Sequence, residues 1–137
     1  RQLNASMETV QMLLNDFQDH GTDWLFELDR EFRVLSPSNR FSEAYGLASE
    51  NLNGWRFDLL FDDTPERQQL RDHLLNRRGF KGLALPLVKE RSGRRRWWSV
   101  SGRPVESPTA DGGWYRGVIS DVSAEKQAEE RVRHMAH

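Results

Sequence analysis

The chain has 137 residues, a formal charge of -1 and no cysteine. That length supports one domain with one core. The near-zero charge excludes a molecule whose overall field traps nucleic acid or membrane, and the missing thiols exclude disulfides, thiol nucleophiles and cysteine-ligated metals. No apolar run approaches a membrane span and no signal peptide is visible, so a reducing, cytoplasmic setting is expected. Helix-like sequence at both Arg1 and His137 reads as a piece of a longer protein.

Leu3, Met7, Val10, Leu14 and Phe17 alternate at spacings of four and three, the a/d seam of a coiled coil. This stretch (1–21) is read as an amphipathic helix that either pairs with a second copy or packs on its own domain, and Gly21 ends it. The period then changes to two. Trp24, Phe26 and Leu28 alternate with Leu25, Glu27 and Asp29, which predicts a strand, and Phe32–Ser36 predicts its hairpin partner. Ser38–Leu47 and Ser49–Gly54 read as short helices, stopped by Gly46 and Gly54. Thr64-Pro65-Glu66 is a helix start for a run to about Arg78, ended by Gly79, with Leu70, Leu74 and Leu75 as its buried stripe. Asp62 and Asp63 are further cap candidates.

Three more strands follow: Phe80–Glu90, Arg95–Val105 and Trp114–Val122. Pro86 cannot donate to a ladder, so the first of these belongs at an edge or carries a bulge. Ser123 opens a last helix (123–137) with Ala124, Ala128, Val132 and Met135 on one face. Helices clustered between the second and third of five strands imply an α+β domain, one antiparallel sheet covered on one face.

Within "RRRWWSVSGRP", Trp97 and Trp98 point to opposite faces and cannot form one stacking platform. Trp98 is expected in the core and Trp97 on the outer face, with Arg94–Arg96 in a solvated turn. No recognition helix or continuous basic groove accompanies them, so no nucleic-acid partner is expected. The basic run from Arg77 to Arg103 is opposed only by Glu90 and reads as a solvated edge or as a complement to an acidic partner surface. His134 and His137 offer two ligands without a third, so no metal site is expected. No phosphate loop or nucleophile–base pair is visible, and the domain is not expected to be an enzyme.

Four stretches in order resemble PAS domains: "DWLFELDREFRVLSP", "FSEAYGL", "SENLNGWRFDLLFDD" and "RRRWWSVSGRPV…GGWYRGVISDVS", the last ending in a D-I-T-like junction at Asp121-Val122-Ser123. The resemblance covers about Asp23 to Ser123, and the domain is placed at 22–122. It implies a five-stranded sheet of order 2-1-5-4-3, flanking signalling helices, and a small-ligand pocket between sheet and helices. Its pocket candidates here are Phe26, Leu28, Phe41, Tyr45, Trp55, Leu70, His73, Leu74, Leu85, Trp98 and Val118. The resemblance allows noncovalent flavin or another small organic molecule; adduct chemistry would need a cysteine. It disfavours haem, because the position matching the family's axial histidine falls nearer Leu70 than His73. His73 is expected to be partly buried and hydrogen-bonded. "RVRHMAH" resembles the linker before a diguanylate cyclase (GGDEF) output domain, which points to cyclic-di-GMP signalling. A homodimer through the first helix and Trp97 is expected, against a monomer whose helix folds back over its own sheet. The expected function is ligand sensing that regulates the output domain; the alternative is a ligand-free dimerisation and relay domain with a filled core.

Overall fold

The structure, a computed structural model, describes residues 23–88, 95–108 and 112–135. The expected seam Leu3, Met7, Val10, Leu14 and Phe17 therefore lies outside the described residues, as do Arg94 and His137. In β1 (Asp23–Leu28) every second side chain is buried: Trp24, Phe26 and Leu28. β2 (Phe80–Pro86), β3 (Trp97–Pro104) and β4 (Tyr115–Asp121) complete one antiparallel sheet of order β1-β4-β3-β2.

The sheet thus has four strands, not the expected five. Phe32 and Ser36 adopt left-handed φ values of 65° and 43°, which leaves only a short extended stretch between them. Asp29 N donates to Arg33 O and Leu35 N to Glu27 O, bridging Leu28 to Val34, while the backbone of Val34 bonds to Gly54 and Trp55. The segment lies beyond β1, where a second strand was expected, but contributes isolated bridges only.

Pro86 ends β2 at the sheet edge, and a register shift between Phe80 and Leu83 bulges it at Gly82, whose φ is 65°. Leu85 and Leu87 turn into the core and Val88 turns out.

The helices cover one face. In α1 (Asn39–Tyr45) Ser38 Oγ accepts from Phe41 N, and Gly46 takes the left-handed exit at φ 102°. α2 (Ser49–Leu52) and a 3₁₀ turn (Phe57–Leu60) follow. α3 (Pro65–Leu75) starts as the sequence requires, with Thr64 Oγ1 accepting from Arg67 N. Asp62 and Asp63 are not its caps: Asp62 pairs with Arg95 at 3.2 Å and Asp63 with Arg67 at 3.5 Å. α3 also stops three residues before Arg78, because Arg77 rather than Gly79 adopts the left-handed conformation, at φ 50°. Arg96 is not solvated either; its guanidinium donates to the carbonyls of Ala44 and Tyr45 and ties β3 to the end of α1.

Candidate functional site

The core lies between the sheet and these helices, and Trp98 is at its centre. Its side chain is 0% exposed. Ring edges meet it from Trp24 (4.8 Å), Phe41 (5.9 Å), Tyr45 (6.0 Å) and Phe61 (6.0 Å). Phe26 stacks on Phe57 at 4.6 Å, and Phe57 meets Phe61 edge-on at 5.3 Å. The aromatic contacts therefore run unbroken from β1 to β3. The indole nitrogens of Trp24 and Trp98 are both buried without an acceptor among the described residues.

Eight of the expected pocket residues come together here: Phe26, Leu28, Phe41, Tyr45, Leu70, Leu74, Leu85 and Trp98 all belong to this core or pack against it. Three do not. Trp55 is 43% exposed and touches only the rim, edge-on to Tyr45 at 6.4 Å. Val118 faces the outer side of the sheet, because Tyr115 and Ile119 occupy the core face of β4. Gly117 between them hides that alternation in the sequence. His73 lies at the far end of the core, stacked on Phe80 at 5.3 Å, with Nδ1 buried and without a partner among the described residues.

Sequence reasoning missed Asp58, the one charged residue buried among those described, 1% exposed. Its carboxylate accepts from Arg71 Nε at 2.7 Å and from Arg56 Nε and Nη2 at 3.2 Å each. This ties the 3₁₀ turn to α3. Nothing separates Asp58 from its neighbours in "FDLLFDD", where acids read as surface or cap residues.

Tyr115, also unforeseen, closes the His73 end. Its hydroxyl lies between the carbonyl oxygens of His73, at 3.1 Å, and Arg78, and donates its single proton to that pair. Burial pushes the phenol above its ordinary 10.0; the charges of Arg77 and Arg78 pull it down and offset this only in part. The folded state then holds the proton more tightly than the unfolded chain. The resulting stability is complete below the ordinary phenol value and is lost as pH rises through it toward the folded value. Tyr115→Phe should cost about 1 kcal/mol near neutrality, and this gap should narrow in alkali. Urea unfolding of both proteins at about pH 8 and about pH 11 checks it; a gap that does not change with pH contradicts it.

At the opposite end the sheet hands over to α4 (Ser123–Met135). Trp97 N donates to Ser123 Oγ and Val122 N to Trp97 O, both at 2.9 Å. The Lys126 ammonium lies 5.3 Å from the Trp97 ring centroid. Asp121 Oδ1 accepts from Ser123 N at 2.9 Å, so Asp121 binds the first helical N–H while the Ser123 hydroxyl serves Trp97. Beyond this turn the apolar face of α4 is exposed; Met135 is 81% exposed.

No family model and no curated protein sequence matches the chain. Solved structures do. A light-oxygen-voltage domain studied with a flavin analogue is 14% identical over 91% of this chain and 94% of its own, with a TM-score of 0.61. The PAS domain of the fruit-fly ELK potassium channel is 15% identical over 85% and 97%, with a TM-score of 0.61. The light-oxygen-voltage domain of a blue-light-activated histidine kinase from Erythrobacter litoralis is 12% identical over 73% and 94%, with a TM-score of 0.56. The fold is a PAS fold, and likeness at these identities is likeness of fold.

A buried flavin would set polar requirements on this core. An isoalloxazine edge alternates acceptors with an N–H donor and needs both kinds of partner when buried. The core around Trp98 presents two indole N–H groups, and the one buried carboxylate among the described residues, Asp58, is already held by two arginines. Among the described residues no cluster of His, Asp or Glu could hold a metal ion. No helix among them is long and apolar enough to cross a membrane.

Proposed function

We propose that this domain is a non-enzymatic sensory module of a multidomain signalling protein. It binds a compact organic molecule beside Trp98 and relays the change to α4. The observation that carries this reading is the division of labour between two adjacent residues. Trp98 packs among the core rings, while the backbone of Trp97 holds both Val122 and Ser123 at the root of α4. A ligand that binds one packing of Trp98 better than another shifts the population of the two, and any backbone shift that accompanies it passes through the shared peptide to Trp97. The exposed stripe of α4, with Val132 and Met135, then serves a homodimer or the next domain, read here as a diguanylate cyclase.

The second reading, a ligand-free relay with a filled core, is favoured by the ring contacts that already surround Trp98. Native and denaturing mass spectrometry of freshly purified protein separate the two. A stoichiometric small molecule released on denaturation, whose removal changes hydrogen exchange in α4, is the expected result. A chain that carries no added mass, with α4 exchange unaltered by a metabolite library, supports the relay. Sedimentation of the whole chain and of residues 22–137 tests the dimer separately.

A further inference from the structure

The end of α3 holds a second constellation, remote from the ring cluster around Trp98. Arg77 N donates to Leu74 O at 3.3 Å and Arg78 N to His73 O at 2.9 Å, the bond pair of a Schellman helix end. That motif places one residue in the left-handed region, where glycine is the usual occupant. Here it is Arg77, at φ 50°.

The arginine's side chain is held as firmly as its backbone. Its guanidinium lies 4.0 Å from the Trp114 ring centroid, and Nη2 donates to Val105 O at 2.7 Å. Nη1 is buried and has no acceptor among the described residues. Arg30 approaches the same ring at 4.9 Å. Among the described residues, the carboxylates that make ion pairs make them with other cations, and neither Arg30 nor Arg77 is salt-bridged.

A guanidinium keeps its charge at every pH the protein meets, so Nη1 cannot shed its burden by losing a proton. A buried N–H on a permanent cation requires an acceptor. The contact with Trp114 and the bond to Val105 account for one face and Nη2; they leave Nη1 unserved. Fixed backbone, fixed ring plane and one unserved nitrogen also mean that little order is lost on binding. We propose that Arg77 and Arg30, arranged about Trp114, form a binding site for a compact oxyanion, a carboxylate or phosphate group. Arg77 supplies the oriented N–H, and the exposed Arg30 supplies a second charge. The site is independent of the sensory reading above.

The test is titration of the full chain with inorganic phosphate and, separately, acetate at constant ionic strength, followed through the Trp114 indole and Arg77 side-chain resonances. The expected result is a saturable shift with at least one anion. Saturation by phosphate alone identifies a phosphate site, and by acetate alone a carboxylate site. Arg77→Lys, which keeps the charge but lacks the planar fork, should abolish saturation. Arg30→Gln should weaken binding roughly fivefold, the scale of one exposed charge. Because Arg30 is exposed, that variant stays informative if Arg77→Lys does not fold. Shifts that rise linearly with both anions, or saturable binding that Arg30→Gln leaves unchanged, overturn the proposal.

Discussion

Replacing Trp98 with alanine lowers the free energy of unfolding by about 3–5 kcal/mol, the range for large aromatic truncations. The site justifies the upper half of that range. The side chain is fully buried, and four rings lean on it, so none of them can collapse into the gap without losing its own edge contact. A domain of this size is stable by only about 5–15 kcal/mol, so the variant sits near the edge of folding. Trp97→Ala should cost only about 1 kcal/mol, because that ring is half-buried and its charged neighbour is the Lys126 ammonium. Trp98→Phe should fall between them. It keeps most of the apolar bulk and removes an indole nitrogen that has no acceptor among the described residues. Urea unfolding monitored by circular dichroism gives all three values. Equal losses at 97 and 98 would contradict this assignment of faces.

The opposite placement of these two tryptophans is legible in the sequence, since strand alternation alone requires it. So are the caps at Ser38 and Thr64 and the edge position implied by Pro86, because each rests on the chemistry of one residue type. The failures share a different cause. Val118 looks like a core residue only while Gly117 looks like a gap; in the sheet Gly117 faces the core and its missing side chain is replaced by Phe26. Asp58 reads as one more acid in an acidic run until Arg56 and Arg71, thirteen residues further on in the second case, converge on it. The hairpin strand fails because two non-glycine residues, Phe32 and Ser36, turn left-handed, which propensity does not favour. In each case a contact between distant residues overrides the local pattern. The candidate core divides the same way: its centre follows from alternation, while its rim, with Trp55 outside and Tyr115 inside, is decided by where loops return.

Gly117→Ala should destabilise the domain by about 3 kcal/mol or more, the top of the range for overpacking. Alanine is ordinarily the better strand residue by about 0.5–1 kcal/mol, so the sign of the effect depends entirely on space. Gly117 pairs with Phe26 on one side and Gly102 on the other. A Cβ there would lie 2.6 Å from Phe26 Cε1 and 2.7 Å from Cζ, and would strike the carbonyl oxygen of Ser101. The phenyl ring can yield only by breaking its stack on Phe57, which leads through Phe61 to Trp98. The carbonyl belongs to β3 and cannot yield without opening the ladder. Gly102→Ala should be milder, about 1 kcal/mol, because its nearest contact is the ring edge of Phe80 at 3.0 Å, a side chain that can shift. Combining Gly117→Ala with Phe26→Leu separates the two clashes. Removing the phenyl should recover part of the loss, and the remainder reports the collision with Ser101. Equilibrium urea unfolding of the single and double variants measures both parts. A Gly117→Ala protein as stable as the parent would mean that β3 and β4 do not approach as closely as described.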